Sequence, residues 1–127
     1  MQEDTIRYFT PKEANQMLPL VRKIVTDILD TGHRIRAVSV ELGPKAQGAP
    51  EIEKLLDQLD ALFDELEELG CSYKDWNFEV GLVDFPAMLD GREVMLCWRS
   101  DEPELQYYHE AEEGFAGRKP IPKESCV

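Results

Sequence analysis

"GLVDFPAMLDGREVMLCWR", residues 81–99, decides the fold. The Asp90-Gly91 pair at its centre is the strongest short hairpin signal in a sequence, because both central residues of a type I′ turn need positive φ. A two-residue turn pairs Leu89 with Arg92, and the register follows: Ala87 with Val94, Phe85 with Leu96, Asp84 with Cys97, Val83 with Trp98. Alternation then puts Val83, Phe85, Ala87, Val94, Leu96 and Trp98 on one face, which packs against the rest of the chain. The opposite face carries Leu82, Asp84, Pro86, Met95, Cys97 and Arg99. A third strand, "ELQYYHE", returns antiparallel through Ser100 to Pro103 and sets either His109 or Tyr108 beside Cys97. Strand 92–99, apolar on both faces, belongs in the centre.

Upstream the periodicity is helical. "TPKE", Thr10 to Glu13, is a capping box with proline at the first helical position, so a helix begins at Pro11. Val21, Ile24, Ile28, Ile35, Val38 and Leu42 form its apolar stripe, and Pro19 predicts a kink between Asn15 and Pro19. "GPKAQGAP", residues 43–50, is a loop. Ile52, Leu55, Leu59, Leu62, Leu66 and Leu69 then repeat at intervals of three and four until Gly70 ends the helix. Helices first and strands second predict one α+β domain over residues 1–127. A long helical hairpin, residues 11–42 and 51–69, covers one face of an antiparallel meander at 79–110, with the sheet and C-terminal segment together occupying 71–121. Phe115 and Ile121 dock the last residues, and the terminus frays.

The charge narrows the partners. Against 14 basic residues stand 26 acidic ones, a net charge of −12, which disfavours nucleic acid and repels anionic membranes. No apolar run suits a signal peptide or a membrane span. Cys71, Cys97 and Cys126 are widely spaced with no CxxC pair, which fits a reducing, cytoplasmic setting.

The candidate chemistry lies in "LCWRSDEPELQYYHEAEEGFAGR", residues 96–118. His109 and Glu110 start a helical zinc motif that lacks its second histidine, so that reading fails. Cys97 and His109 suit a nucleophile and base with Asp84 as the orienting third group. Asp84, Cys97 and His109 equally suit a mixed-ligand zinc site. The plain alternative is a buried cysteine acting as a small hydrophobe. Arg92, Arg99 and Arg118 are candidate anion partners because basic residues are scarce, although each has many acids with which to pair. Tyr107, Tyr108, Trp76, Phe78 and Trp98 are candidate pocket walls or core. Asp75 has no carboxylate partner at fixed spacing, and His33 is assigned no role.

Five segments in this order, "RYFTPKEANQMLPLV", "LEELGC", "GLVDFPA", "DGREVMLCW" and "YYHEAEEGFAGR", resemble the bacterial family catalogued as domain of unknown function 2203, from Arg7 to Pro120. The resemblance implies a small cytoplasmic bacterial protein. The positions matching its motifs are Asp84, Arg92, Cys97, Trp98, His109, Glu110, Gly114, Gly117 and Arg118, and no catalytic role comes with them.

Two functions are expected from these residues. The favoured one is a protein-interaction module without catalysis, homodimeric through its helices, because helix one keeps Leu18, Leu20, Val25 and Leu29 spare. The alternative is a small-ligand or metal-binding domain, enzymatic or not, around Asp84, Cys97, His109 and Arg118, with Arg92, Trp98, Arg99 and Glu110 nearby and zinc as the cofactor to test.

Overall fold

The computed structural model describes residues 6–75 and 77–122. Trp76, Cys126 and the expected fraying of the terminus lie outside them. Helix α1 spans Pro11–Leu42. Its capping box closes as the sequence dictates: Glu13 N donates to Thr10 Oγ1 (3.1 Å) and Thr10 N donates to Glu13 Oε1 (2.9 Å). The helix continues through Pro19 without a break. Asn15, four residues earlier, ties it to the sheet side, donating to Leu105 O (3.2 Å) and accepting from Leu105 N (2.8 Å).

The expected loop after Leu42 starts with a single 3₁₀ turn, Gly43–Lys45, and helix α2 spans Pro50–Leu69. Gly70 ends it at φ 101°, a left-handed conformation that only glycine adopts without strain.

Five antiparallel strands follow in the order β1-β2-β3-β4-β5. They are β1 (Ser72–Tyr73), β2 (Leu82–Leu89), β3 (Arg92–Arg99), β4 (Tyr107–Glu110) and β5 (Lys119–Pro120). The central meander is the expected one, and β1 and β5 extend it by a two-residue strand on either side. At the Asp90-Gly91 turn φ is 51° and 78°, and the β2–β3 register runs from Leu89↔Arg92 to Leu82↔Arg99, as a two-residue turn requires. Strand β3 is central.

The register of β4 corrects the expectation. Tyr107, not His109 or Tyr108, stands opposite Cys97, while Tyr108 faces Leu96 and His109 faces Met95. The chain turns back one or two residues sooner than the sequence suggested, and residues 100–106 are held by α1. There Arg22 reaches the carbonyls of Ser100, Glu102 and Pro103 (3.3, 3.5 and 3.4 Å), and Trp98 Nε1 donates to Glu102 O (3.0 Å).

The core lies between the helices and one sheet face, where Val83, Phe85, Ala87, Val94, Leu96 and Trp98 are buried with Val21, Ile28 and Leu66. Leu18 and Val25 join this core rather than standing spare, whereas Leu20 is exposed and Leu29 half-buried. Helix and sheet meet so closely that a Cβ at Gly81 would overlap Val25 Cγ1. Pro86 tolerates its place because the bond from Phe9 N to Pro86 O (2.7 Å) shows that its backbone faces the sheet margin, where no strand needs its missing N–H. Ile121 docks as expected, but Phe115 remains substantially exposed. Among the described residues no helix is long and apolar enough to cross a membrane.

Candidate metal centre

The face turned away from the helices carries a polar cluster that strand alternation alone assembles. Asp84 on β2 and Cys97 on β3 are direct cross-strand partners, and β4 adds His109 diagonally, two residues beyond the partner of Cys97. Same-face parity, not direct opposition, brings the imidazole in. The ligand atoms of the three side chains lie within 4.8 Å of one another. All three are buried, with relative exposures of 5% for Asp84, 2% for Cys97 and 4% for His109, which is ordinary for a cysteine and unusual for an aspartate and a histidine.

Both imidazole nitrogens have partners. Nδ1 lies 2.8 Å from the carbonyl oxygen of Glu110, and Nε2 lies 3.1 Å from Asp84 Oδ2. A carbonyl can only accept, so Nδ1 carries a hydrogen and donates it. In the neutral ring Nε2 therefore presents its lone pair to Asp84 and Cys97. The 3.1 Å contact then needs one further proton, held either on Nε2 or on Oδ2 and shared by the pair. Burial raises the Asp84 carboxyl above the ordinary aspartate range, and the neighbouring His109 pulls it back only in part. Burial also pushes the Cys97 thiol up to about 12, reinforced by the negative charge of Asp84.

These facts weigh against the nucleophilic triad. A histidine that activates cysteine places one nitrogen on sulfur and the other on the orienting acid. Here the two nitrogens are on a backbone carbonyl and on Asp84, and the cysteine is a thiol with a raised pKa rather than a poised thiolate. The same arrangement suits a metal. The Nδ1–H bond to a carbonyl fixes the tautomer that ligates through Nε2, and the three donor atoms supply nitrogen, sulfur and oxygen.

The remaining sequence candidates divide. Arg118 flanks the cluster: it donates to Cys97 O (3.1 Å) and Glu102 Oε1 (2.7 Å), and its guanidinium lies 4.3 Å from the Tyr107 ring and 4.7 Å from the Phe115 ring. Arg92 and Glu110 form a bidentate pair (2.9 and 2.8 Å) and so occupy each other. That pairing holds the Glu110 carboxyl below its usual range, and the Glu110 carbonyl is the part that serves the site. Arg99 pairs with Asp101 (3.0 Å), and Trp98 lies on the opposite face, fully buried in the core. Asp75 organises a turn by accepting from the backbone of Asn77, Glu79 and Val80. His33 holds the same segment through Phe78 O (2.7 Å).

A pocket of about 320 Å³ opens over the cluster, and besides Asp84, Cys97 and His109 it is lined by Lys74, Leu82, Met95, Ala111, Glu113, Gly114 and Phe115. Leu82 and Met95 were on the right face from alternation. Lys74 and Glu113 were not legible, because β1 is too short to show a period and the 111–117 segment has none.

A family model described as an uncharacterized conserved protein (DUF2203) matches residues 7–121, and the chain belongs to that family. No curated protein and no solved structure matches it.

Proposed function

We propose that this DUF2203 protein binds one zinc-class divalent ion through Asp84, Cys97 Sγ and His109 Nε2 and presents a further coordination position to the pocket. The observation that carries the reading is the orientation of His109: its Nδ1–H is spent on Glu110 O, and Nε2 points at two other buried ligand atoms. Tetrahedral zinc, with bonds of about 2.0–2.3 Å, needs ligand atoms roughly 3.3–3.8 Å apart. The Nε2–Oδ2 distance of 3.1 Å is already near that, and the widest spacing, at most 4.8 Å, closes by about 1 Å through side-chain rotation. Three protein ligands with a position left for solvent or substrate are the pattern of metal sites that handle small molecules, whereas purely structural zinc is enclosed by four.

The test is metal analysis of chelator-treated, reloaded protein beside Cys97→Ser and His109→Ala. One equivalent of zinc in the parent, with affinity lost about 100-fold or more in each variant, is expected. Cobalt-loaded parent should show thiolate charge-transfer absorption that Cys97→Ser lacks. Substoichiometric metal in the parent, or equal metal in all three proteins, overturns the proposal; circular dichroism establishes that the variants fold.

A second reading, homodimerisation through the helices as an interaction module, is supported by Leu20, Leu56 and above all Val40, which is 79% exposed on α1. The burial of Leu18 and Val25 removes part of the apolar surface that first suggested it. Light scattering at micromolar concentration decides it, a monomer refuting the dimer. A net charge of −12 and the free thiols of Cys71 and Cys97 support a cytoplasmic protein that does not bind nucleic acid.

A further inference from the structure

Resting on that metal reading, we propose that the pocket takes a small zwitterion of the α-amino-acid class with an apolar side chain. The charge distribution around the cluster carries the inference. A divalent ion held by one thiolate, one carboxylate and one neutral imidazole is a centre of zero net charge, so the ligand's charge is recognised by the rest of the pocket. Lys74 and Glu113, of opposite sign, are the two charged side chains lining it beyond the three ligands. The ammonium of Lys74 makes no ion pair among the described residues.

Lys74 comes from the β1 side of the centre and Glu113 from the β4 side. Lys74 directly follows β1 and is joined to Leu82 O by its backbone N–H (2.8 Å), while Glu113 follows β4. Asp84, Cys97 and His109 come from the three strands between. A carboxylate directed at Lys74 and the metal, and an ammonium directed at Glu113, whose Oε1 also accepts from Glu110 N (3.4 Å), match these charges. Between them Leu82, Met95, Ala111 and Phe115 supply apolar wall, and 320 Å³ accommodates a molecule of amino-acid size.

Phosphorylated ligands fit poorly. Arg92, Arg99 and Arg118 have Glu110, Asp101 and Glu102 as carboxylate partners, and none of the three lines the pocket. A dianion would therefore meet Lys74 alone, against Glu113. The pocket balances a molecule that carries one charge of each sign.

Titration of the cobalt-loaded full chain tests this with four probes: leucine, 4-methylpentanoate, which lacks the ammonium, 3-methylbutylamine, which lacks the carboxylate, and inorganic phosphate. Leucine should shift the ligand-field bands while the thiolate charge-transfer band persists, and should bind about tenfold or more tightly than any other probe. Glu113→Gln should erase the advantage of leucine over 4-methylpentanoate, and Lys74→Met its advantage over 3-methylbutylamine, with cobalt still bound. Equal binding of leucine and 4-methylpentanoate, preference for phosphate, or no response to leucine while the charge-transfer band is present overturns this inference and leaves the metal centre standing. Absence of that band before any probe is added overturns the metal centre itself.

Discussion

Raising the pH should strengthen metal binding far more steeply than a preformed, ionised site would allow. The Cys97 thiol, pushed up to about 12, is protonated throughout the neutral range and must lose its proton to ligate. The proton shared by His109 Nε2 and Asp84 Oδ2 must also leave, because the ion takes its place. Release of the Cys97 proton alone makes the affinity rise about tenfold per pH unit across the neutral range, and the proton of the His109–Asp84 pair adds to that slope wherever the pair still holds it. Ionising a thiol about five units above neutrality costs about 7 kcal/mol at pH 7, which is subtracted from the attraction between ion and sulfur. Competition against a chromophoric chelator, corrected for the chelator's own protonation, gives the slope. Calorimetry in buffers of different ionisation enthalpy counts the protons independently. Cys97→Ser, which has no thiol to ionise, should lower the slope by about one. A slope near zero in the parent, or one that Cys97→Ser leaves unchanged, would refute the protonation scheme.

Without metal, the raised Asp84 carboxyl means that the folded chain holds this proton to higher pH than the unfolded chain. The contribution of this group to stability is then greatest below the ordinary aspartate pKa and declines as pH climbs through the window up to the raised folded value. Asp84→Asn keeps a donor for His109 Nε2 and removes the buried charge, so the metal-free Tm at pH 8 should rise by about 3–5 °C, near 1 kcal/mol, while metal affinity collapses; a lower Tm would contradict the raised carboxyl. Gly81→Ala forces a methyl onto Val25 and should cost about 1–3 kcal/mol in urea unfolding; an unchanged midpoint would mean that helix and sheet can separate there without penalty. Arg92→Ala removes an exposed pair with Glu110 and should change stability by less than about 1 kcal/mol and metal affinity not at all, so a lost metal would place Arg92 in the site after all.

The parts of this fold that could be read from sequence are those set by neighbours in the chain. Thr10 and Glu13 determine where α1 begins, Gly70 where α2 ends, and Asp90-Gly91 the whole β2–β3 register, because each acts over four residues or fewer. The pairing of Asp84 with Cys97 was therefore legible. That of His109 was not, since the length of the 100–106 connection depends on Asn15 and Arg22, which lie some 78 to 90 residues away in the chain. The cluster forms despite the mistaken register because diagonal neighbours on one face of a sheet are also within reach. Trp98 stood among the candidate site residues as a motif match and possible pocket wall, although alternation already put it on the helix-packed face, where it is buried.

The two-residue turn at Asp90-Gly91 also constrains how the gene can change in length. Adding one residue between Leu89 and Arg92 would slide β2 against β3, and because side chains alternate, either Asp84 or Cys97 would be driven toward the helices while an apolar neighbour took its place over the pocket. Insertions and deletions should therefore be absent from this hairpin in descendants that keep the centre, and should collect instead in residues 43–49, where the glycines at 43 and 48 have open space around them and no strand depends on the count. In a lineage that had lost the centre, the turn would be free to lengthen.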